Sequence, residues 1–154
     1  MINFRQIIGW VGVLLGCPIL LQGQEVPSIS TMEIFDIENL TRKVVFEKAD
    51  HFEAPNWSPD GTYLLYNSHG KLYKYDLQTG EEELLQTDFA DNINNDHGIS
   101  SDGKTIVISH SPEGEGSKVY TLPVEGGTPT LVTPFHPSYW HGWSPDGQTL
   151  AYVA

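Results

Sequence analysis

The sequence predicts an all-β fold, a β-propeller built from four-stranded antiparallel blades. The first observation is a repeated turn motif, Ser-Pro-Asp-Gly or Ser-Ser-Asp-Gly, with copies that start at Ser58, Ser100 and Ser144. The copies lie roughly 42–44 residues apart, which is the period of a propeller blade. The second observation is the composition, with 18% charged and 11% aromatic residues, 15 glycines and 10 prolines. This composition favours short strands joined by many turns.

Each copy of the turn motif stands between two strand-like segments. Trp57, Ile99 and Trp143 stand before the three turns, and we expect them to begin equivalent inner strands, with the two tryptophans packed in the core. In the turn, proline presets φ near −65°, aspartate tolerates the next position and glycine accepts a positive φ. The motif therefore predicts a structural turn role, not a catalytic one, for Asp60, Gly61, Asp102, Gly103, Asp146 and Gly147.

A second repeat supplies the outer half of each blade. Segments 72–77 and 119–124 each alternate aromatic or β-branched residues with polar ones, and a glycine turn and a further apolar segment follow each of them. This pattern is typical of a β-hairpin. The stretch between His110 and Lys118, rich in glycine, serine and glutamate, indicates a longer hairpin loop.

The repeats divide residues 32–154 into four pieces. Residues 32–50 form the outer strands of a first blade, 51–90 and 91–134 each form a complete blade, and 135–154 start a further blade. Closed propellers contain 4–8 blades, so two full and two partial blades make an incomplete propeller. We expect the remaining blades to come from sequence beyond Ala154, or the open edges to be buried by association.

Residues 1–23 differ in composition from the rest of the chain. A single positive charge at Arg5 precedes an apolar run from Ile7 to Leu21, which is the layout of a secretory signal peptide. The run is shorter than the ~20 residues that span a bilayer, so we expect a periplasmic or secreted protein that is not membrane-spanning, with residues 24–31 as a linker. An alternative is a lipoprotein signal with Cys17 as the lipid-bearing residue.

The net charge excludes one class of partner. With 8 basic and 20 acidic residues, the chain has a formal charge of −12. Nucleic acids are held by basic stripes, and the sequence has none, so we expect no nucleic-acid partner.

The segment Trp57-Ser58-Pro59-Asp60-Gly61, with the later Leu72-Tyr73-Lys74-Tyr75-Asp76-Leu77-Gln78-Thr79-Gly80-Glu81, resembles the TolB-type (WD40-like, PD40) propeller repeat. The resemblance covers about residues 32–154, and Ile99 and Ser101 depart from it in the middle repeat. It implies a Gram-negative envelope setting. More distantly, the repeats are similar to the propellers of dipeptidyl-peptidase-like enzymes and of oligogalacturonate lyases, and the lyase family uses a histidine-bound metal in its channel.

Alignment of the repeats on their turns brings candidate functional residues together at the entrance of the inner strands. His97 and His141 share one position, each followed by a glycine, Gly98 or Gly142, that permits close approach of a neighbour or ligand,. The remaining histidines, His69, His110 and His136, are expected in or near turns and in solvent. The candidate ligand-binding residues are Glu53, Asn94, Asn95, Asp96, His97, Tyr139, Trp140 and His141.

Three interpretations of these residues remain open. The histidines make hydrogen bonds between blades; or the aromatic, amide and imidazole groups bind a carbohydrate, a peptide or a protein; or His97 and His141, with Glu53, Asp96 or His51, hold a divalent metal. The first functional hypothesis is a non-catalytic propeller that binds a protein partner or an envelope ligand at its channel mouth. The alternatives are a metal-dependent, lyase-like enzyme, and a gating propeller for a peptidase domain elsewhere, since the sequence has no Gly-x-Ser-x-Gly motif.

Overall fold

The computed structural model describes residues 28–154, and the predicted leader and Cys17 lie outside them. This part of the chain consists of twelve strands joined by turns and loops. Among residues 28–154, no helix has the length and hydropathy that a membrane crossing requires. The strands are β1 (Ser30–Asp36), β2 (Thr41–Lys48), β3 (Glu53–Trp57), β4 (Tyr63–Ser68), β5 (Lys71–Asp76), β6 (Glu82–Leu84), β7 (Ile93–Ile99), β8 (Thr105–His110), β9 (Lys118–Pro123), β10 (Thr130–Leu131), β11 (Tyr139–Trp143) and β12 (Leu150–Val153).

The strands form four antiparallel sheets, which confirms the predicted fold class. The first four-stranded sheet has the order β3-β4-β5-β6, and the second has the order β7-β8-β9-β10. The hairpin β1–β2 and the pair β11–β12 are each two-stranded. The first strands of consecutive sheets contact each other, β3 with β7 and β7 with β11. The sheets therefore stand side by side with their first strands innermost, as in a propeller.

Two apolar clusters hold the sheets together. The larger lies between the two four-stranded sheets and is built on fully buried side chains such as Leu65, Leu72, Ile106 and Ile108. Burial of one such side chain contributes roughly 1.5–3 kcal/mol. The smaller cluster joins the hairpin β1–β2 to the first four-stranded sheet and includes Met32, Phe52, Leu64 and Tyr66.

The three Ser-x-Asp-Gly turns have the same backbone and the same hydrogen bonds. The serine hydroxyl accepts from the backbone N–H five residues later, at 3.0 Å for Ser58 and Ser100 and 2.9 Å for Ser144. The turn glycines have φ of 74°, 73° and 69°, a conformation that glycine adopts without steric cost. Hydrogen bonds from the serine hydroxyl and from a backbone N–H keep the pKa of Asp60, Asp102 and Asp146 below the usual value.

The positions of the residues before these turns correct one prediction. Trp57, Ile99 and Trp143 end the inner strands and do not begin them, because the turn follows each of them directly. The expected core packing of Trp57 is also wrong. Trp57 is 52% exposed, since it lies on an edge strand beside a small groove shared with the hairpin β1–β2, and Trp143 is half-buried.

Candidate functional site

The predicted site residues lie on the inner strands β3, β7 and β11. These strands begin at the same end of the molecule, which we call the strand-entry end, and their preceding loops, 49–52, 85–92 and 132–138, lie there. The Ser-x-Asp-Gly turns lie at the opposite end, the turn end. Segments 69–70 and 111–117, which connect the second and third strands of the two four-stranded sheets, also lie at the strand-entry end.

The first half of β7 departs from regular pairing. Ile93 lies opposite His110, whereas His97 lies opposite Ile108, so two extra residues of β7 bulge from the ladder. The bulge has its own hydrogen bonds: the Asn94 Oδ1 accepts from the Asp96 backbone N–H at 2.9 Å, and the Asn94 Nδ2 donates to the Asp96 carboxylate at 3.2 Å. Asn95 points into solvent. A bulge beside a site is a common means of redirecting side chains.

His97 is buried, with 1% of its surface exposed. Its Nδ1 lies 3.4 Å from the Asn94 carbonyl oxygen, and its Nε2 has no hydrogen-bond partner within residues 28–154. Burial lowers the pKa of the ring, although the carbonyl oxygens of Asn94 and Leu65 and the charges of Asp96 and Glu53 act in the opposite direction. His97 is therefore a neutral interior group, packed where the first and second four-stranded sheets meet.

His141 lies in a different environment from His97. On β11, Trp143 lies opposite Leu150, Gly142 opposite Ala151 and Trp140 opposite Tyr152, so His141 is the extra residue of a bulge. It is exposed. The shared position that the sequence alignment predicts for the two histidines is therefore broken, because the bulge places Trp140 where His97 lies on β7.

Trp140 packs between the second four-stranded sheet and the pair β11–β12. Its indole covers Gly98 so closely that a Cβ at that position would lie 2.3 Å from the Trp140 Cη2 atom. Its backbone N–H donates to the Ser109 hydroxyl at 2.9 Å. The predicted close approach at Gly98 is thus made by a neighbouring strand. At Gly142, by contrast, an added Cβ would have nothing within 4 Å.

The remaining predicted residues are more exposed. Tyr139 is 36% exposed at the start of β11, and Glu53 lies partly exposed at the start of β3, with its carboxylate 3.6 Å from the His51 ring. Nowhere in residues 28–154 do three His, Cys, Asp or Glu side chains cluster as metal ligands would. The divalent metal at His97 and His141 stays a prediction.

His110 corrects another expectation. It was expected in a turn and in solvent, but it is the last residue of β8 and is 2% exposed. Its ring packs against Tyr120 and Phe89, and its Nδ1 accepts from the Asn92 backbone N–H at 3.3 Å. Burial lowers its pKa. His69 and His136 are exposed, as expected.

The sequence interpretation missed a loop that presents an aromatic side chain. In the loop 132–138, Phe135 is 77% exposed, although Thr133 and Ser138 on either side of it are 2% and 0% exposed. The two buried hydroxyl oxygens lie 2.6 Å apart, the Thr133 hydroxyl accepts from the Val119 N–H at 2.9 Å, and the Ser138 hydroxyl donates to the Phe135 carbonyl at 3.0 Å. The loop thus holds Phe135 outward through interior hydrogen bonds.

The preceding connecting loop has a related arrangement, but its phenylalanine also packs against His110 and Tyr120 of the second four-stranded sheet. Phe89 is 48% exposed, and two residues before it the buried Thr87 donates from its hydroxyl to the Ala90 carbonyl at 2.6 Å. The signal was present in the sequence as a recurring Thr-x-Phe, at residues 87–89 and 133–135. It marks a second repeated element at the strand-entry end.

The chain is a β-propeller, because its four-stranded antiparallel sheets pack side by side through their first strands,. The candidate residues lie at the entrance of those strands. A solved structure from Agrobacterium tumefaciens, provisionally assigned as TolB, matches 79% of this chain with a TM-score of 0.77 and 51% identity. TolB from Acinetobacter baumannii matches with a TM-score of 0.67 at 23% identity, and the tricorn protease with 0.58 at 18%, each over 79% of this chain. At these identities, the Acinetobacter TolB and the tricorn protease show only that this chain has the same fold as they do. Within the propellers, this chain has the TolB-like fold.

The chain is also similar to curated proteins, one of which is named TolB. An uncharacterized protein of Agrobacterium fabrum is 52% identical over 80% of this chain, and a Tol-Pal system protein TolB of Francisella tularensis is 30% identical over 51% of it. The chain spans 42% of the length of the first relative and 19% of the second. It also spans 44%, 31% and 13% of the three solved chains, in the order given above. No family model matches the sequence.

Proposed function

We propose that this chain is part of an exported, non-catalytic TolB-like propeller that binds a protein partner at its strand-entry end. The relatives named TolB belong to a Tol-Pal system, and the leader-like residues 1–23 support export to the periplasm. The proposed partner is a protein component of such a system.

The exposed Phe135 is the observation that carries the proposal. Aromatic side chains, phenylalanine among them, are enriched at protein interfaces, and this one lies on a loop that is already ordered. The hydroxyl pair of Thr133 and Ser138 supplies that order, so little conformational entropy is lost on binding. Tyr139 and His141 follow on β11 and add exposed aromatic and imidazole groups beside the loop.

The proposal is tested by calorimetry, in which the purified full chain is titrated with the Pal protein of the Tol-Pal system. We expect Phe135→Ser to weaken binding at least about tenfold, which corresponds to roughly 1.4 kcal/mol. Ile37→Ser is the matched control, since Ile37 is 82% exposed and lies in the β1–β2 turn at the turn end. This variant is expected to bind as the unaltered chain does.

Two results would contradict the proposal. One is the absence of binding by the unaltered chain under conditions in which its fold is intact. The other is an equal loss of affinity for Phe135→Ser and Ile37→Ser, which would place the contact elsewhere.

A further inference from the structure

Lys48, the last residue of β2, reaches from the hairpin β1–β2 to the first four-stranded sheet. Its Nζ lies 5.5, 5.6 and 5.7 Å from the ring centroids of Phe46, Tyr66 and Tyr73. It donates a hydrogen bond to the Tyr66 hydroxyl at 3.0 Å and pairs with the carboxylate of Glu82. Three aromatic rings and one carboxylate thus surround a single ammonium group, and we call these four residues the ammonium cage.

The chemistry of the ammonium cage selects a cation with N–H donors. Aromatic faces carry negative potential and attract a cation within about 6 Å. The Tyr66 hydroxyl donates to Glu82 while it accepts from Lys48, so it orients the carboxylate toward the same point. Burial and the neighbouring Glu82 raise the pKa of Tyr66, which keeps this hydroxyl protonated at neutral pH.

The rings of the cage are fixed by their own packing. Tyr66 is fully buried and stacks on Tyr73 with 5.5 Å between centroids. Phe46 packs against Tyr75 and Phe52 at 4.5 and 4.8 Å. Because these contacts do not involve Lys48, we expect the rings to keep their places without it.

Most of the cage belongs to one sheet. Tyr66, Tyr73 and Glu82 lie on β4, β5 and β6. Lys48 and the fourth cage residue, Phe46, lie on β2 of the hairpin. We propose that the ammonium cage is a binding site for an alkylammonium group, and that Lys48 fills it in cis and so fastens the hairpin to the sheet. The Lys48 side chain is 36% exposed, so the site is open to an ammonium group from solvent once that side chain is removed.

Chemical rescue of Lys48→Ala tests the proposal. The probe is n-propylammonium, which replaces the atoms that this substitution removes. We expect the probe to raise the melting temperature of Lys48→Ala by several degrees in a saturable manner, as a ligand of the native state does. It should leave the unaltered chain unchanged. Lys43→Ala, a substitution of an exposed lysine on the same strand, should show no rescue.

Two further comparisons separate the cage from general solvent effects. 1-Propanol, which is neutral, should not rescue Lys48→Ala, and the double variant Lys48→Ala with Glu82→Gln should respond much less to n-propylammonium. Equal rescue by 1-propanol, equal rescue of Lys43→Ala, or no rescue of a folded Lys48→Ala would each overturn the proposal.

A measurement on the unaltered chain keeps the proposal testable if Lys48→Ala does not fold. Ring currents from three nearby aromatic faces should shift the Lys48 ε-methylene protons upfield of those of Lys43 in the NMR spectrum. Lys48 resonances at the position of a solvated lysine would show that the ammonium group does not occupy the cage.

Discussion

At the scale of single residues, the contact between Gly98 and Trp140 sets the distance between two neighbouring inner strands. A methyl group at Gly98 would lie 2.3 Å from the indole, far inside van der Waals contact. The Trp140 backbone is fixed by its N–H bond to the Ser109 hydroxyl, so relief of this clash requires the indole itself to turn away from β7. We therefore expect Gly98→Ala to destabilise the fold by roughly 1–3 kcal/mol, the usual cost of overpacking.

Gly142→Ala is the matched control for this substitution. Gly142 occupies the equivalent position on β11, and an added methyl group there meets nothing within 4 Å. Its effect on stability should stay within about 0.5 kcal/mol. Urea denaturation measures both variants, and a midpoint for Gly98→Ala as high as that of Gly142→Ala would show that the two strands lie farther apart.

Residues at the same distance from the repeated turn do not all occupy equivalent positions in their sheets. The sequence aligns His97 with His141, but a bulge at His141 moves Trp140 into the position of His97. An alignment of the repeats assumes that each residue of one strand matches one residue of the other. A single extra residue in a bulge therefore shifts the strand pairing, and aligned residues no longer occupy equivalent positions. The fold was therefore predictable from these residues, and the side chains that meet between sheets were not.

At the scale of elements, the loop 132–138 depends on one buried hydroxyl. The Thr133 hydroxyl accepts from Val119 of the neighbouring strand and contacts the Ser138 hydroxyl. Thr133→Val keeps the shape but leaves these groups without their partner, which costs about 1–3 kcal/mol. We expect this variant to unfold at a lower temperature and also to weaken partner binding, because Phe135 would lose its fixed position.

The control for this loop is Thr130→Val. Thr130 is exposed on the outer strand β10, so the same chemical change should leave both stability and binding nearly unaltered. If Thr133→Val proved less stable but bound the partner with unchanged affinity, the order of the loop would not matter for recognition.

Elements differ in how clearly the sequence marks them. The strands around the Ser-x-Asp-Gly turns were predictable because proline fixes φ at one position, aspartate favours the next and glycine permits the positive φ that follows. The packing of Trp57 was predicted wrongly, since its apolar side chain lies on an edge strand where burial depends on the neighbouring hairpin. The ammonium cage was not predicted, because Lys48 and Glu82 are distant in sequence and only sheet packing brings them together.

At the scale of the whole molecule, two buried histidines link folding to pH. The pKa of His97 and that of His110 are both lowered, chiefly by burial. His110 accepts a hydrogen bond from Asn92, with Asp91 nearby, and packs against Phe89 and Tyr120. Protonation of either ring would place a charge in the interior, and protonation of the His110 Nδ1 would also remove the acceptor for Asn92.

The direction of the pH effect follows from these lowered values. In the unfolded chain a histidine takes up a proton near its usual pKa of about 6.5, whereas the folded chain resists protonation until the pH is lower. Below about pH 6.5 the unfolded state therefore binds more protons, and stability falls as the pH falls. We expect the melting temperature to decrease between pH 7.5 and 5.5, a range above the titration of the carboxylates.

The double variant His97→Gln with His110→Gln tests the cause of this pH dependence. Glutamine keeps a polar side chain but does not titrate, so the slope of melting temperature against pH should become markedly flatter. The exposed pair His69→Gln with His136→Gln serves as the control and should retain the slope of the unaltered chain. A slope that disappeared in the control pair instead would mean that the surface histidines, not the two interior ones, carry the proton linkage.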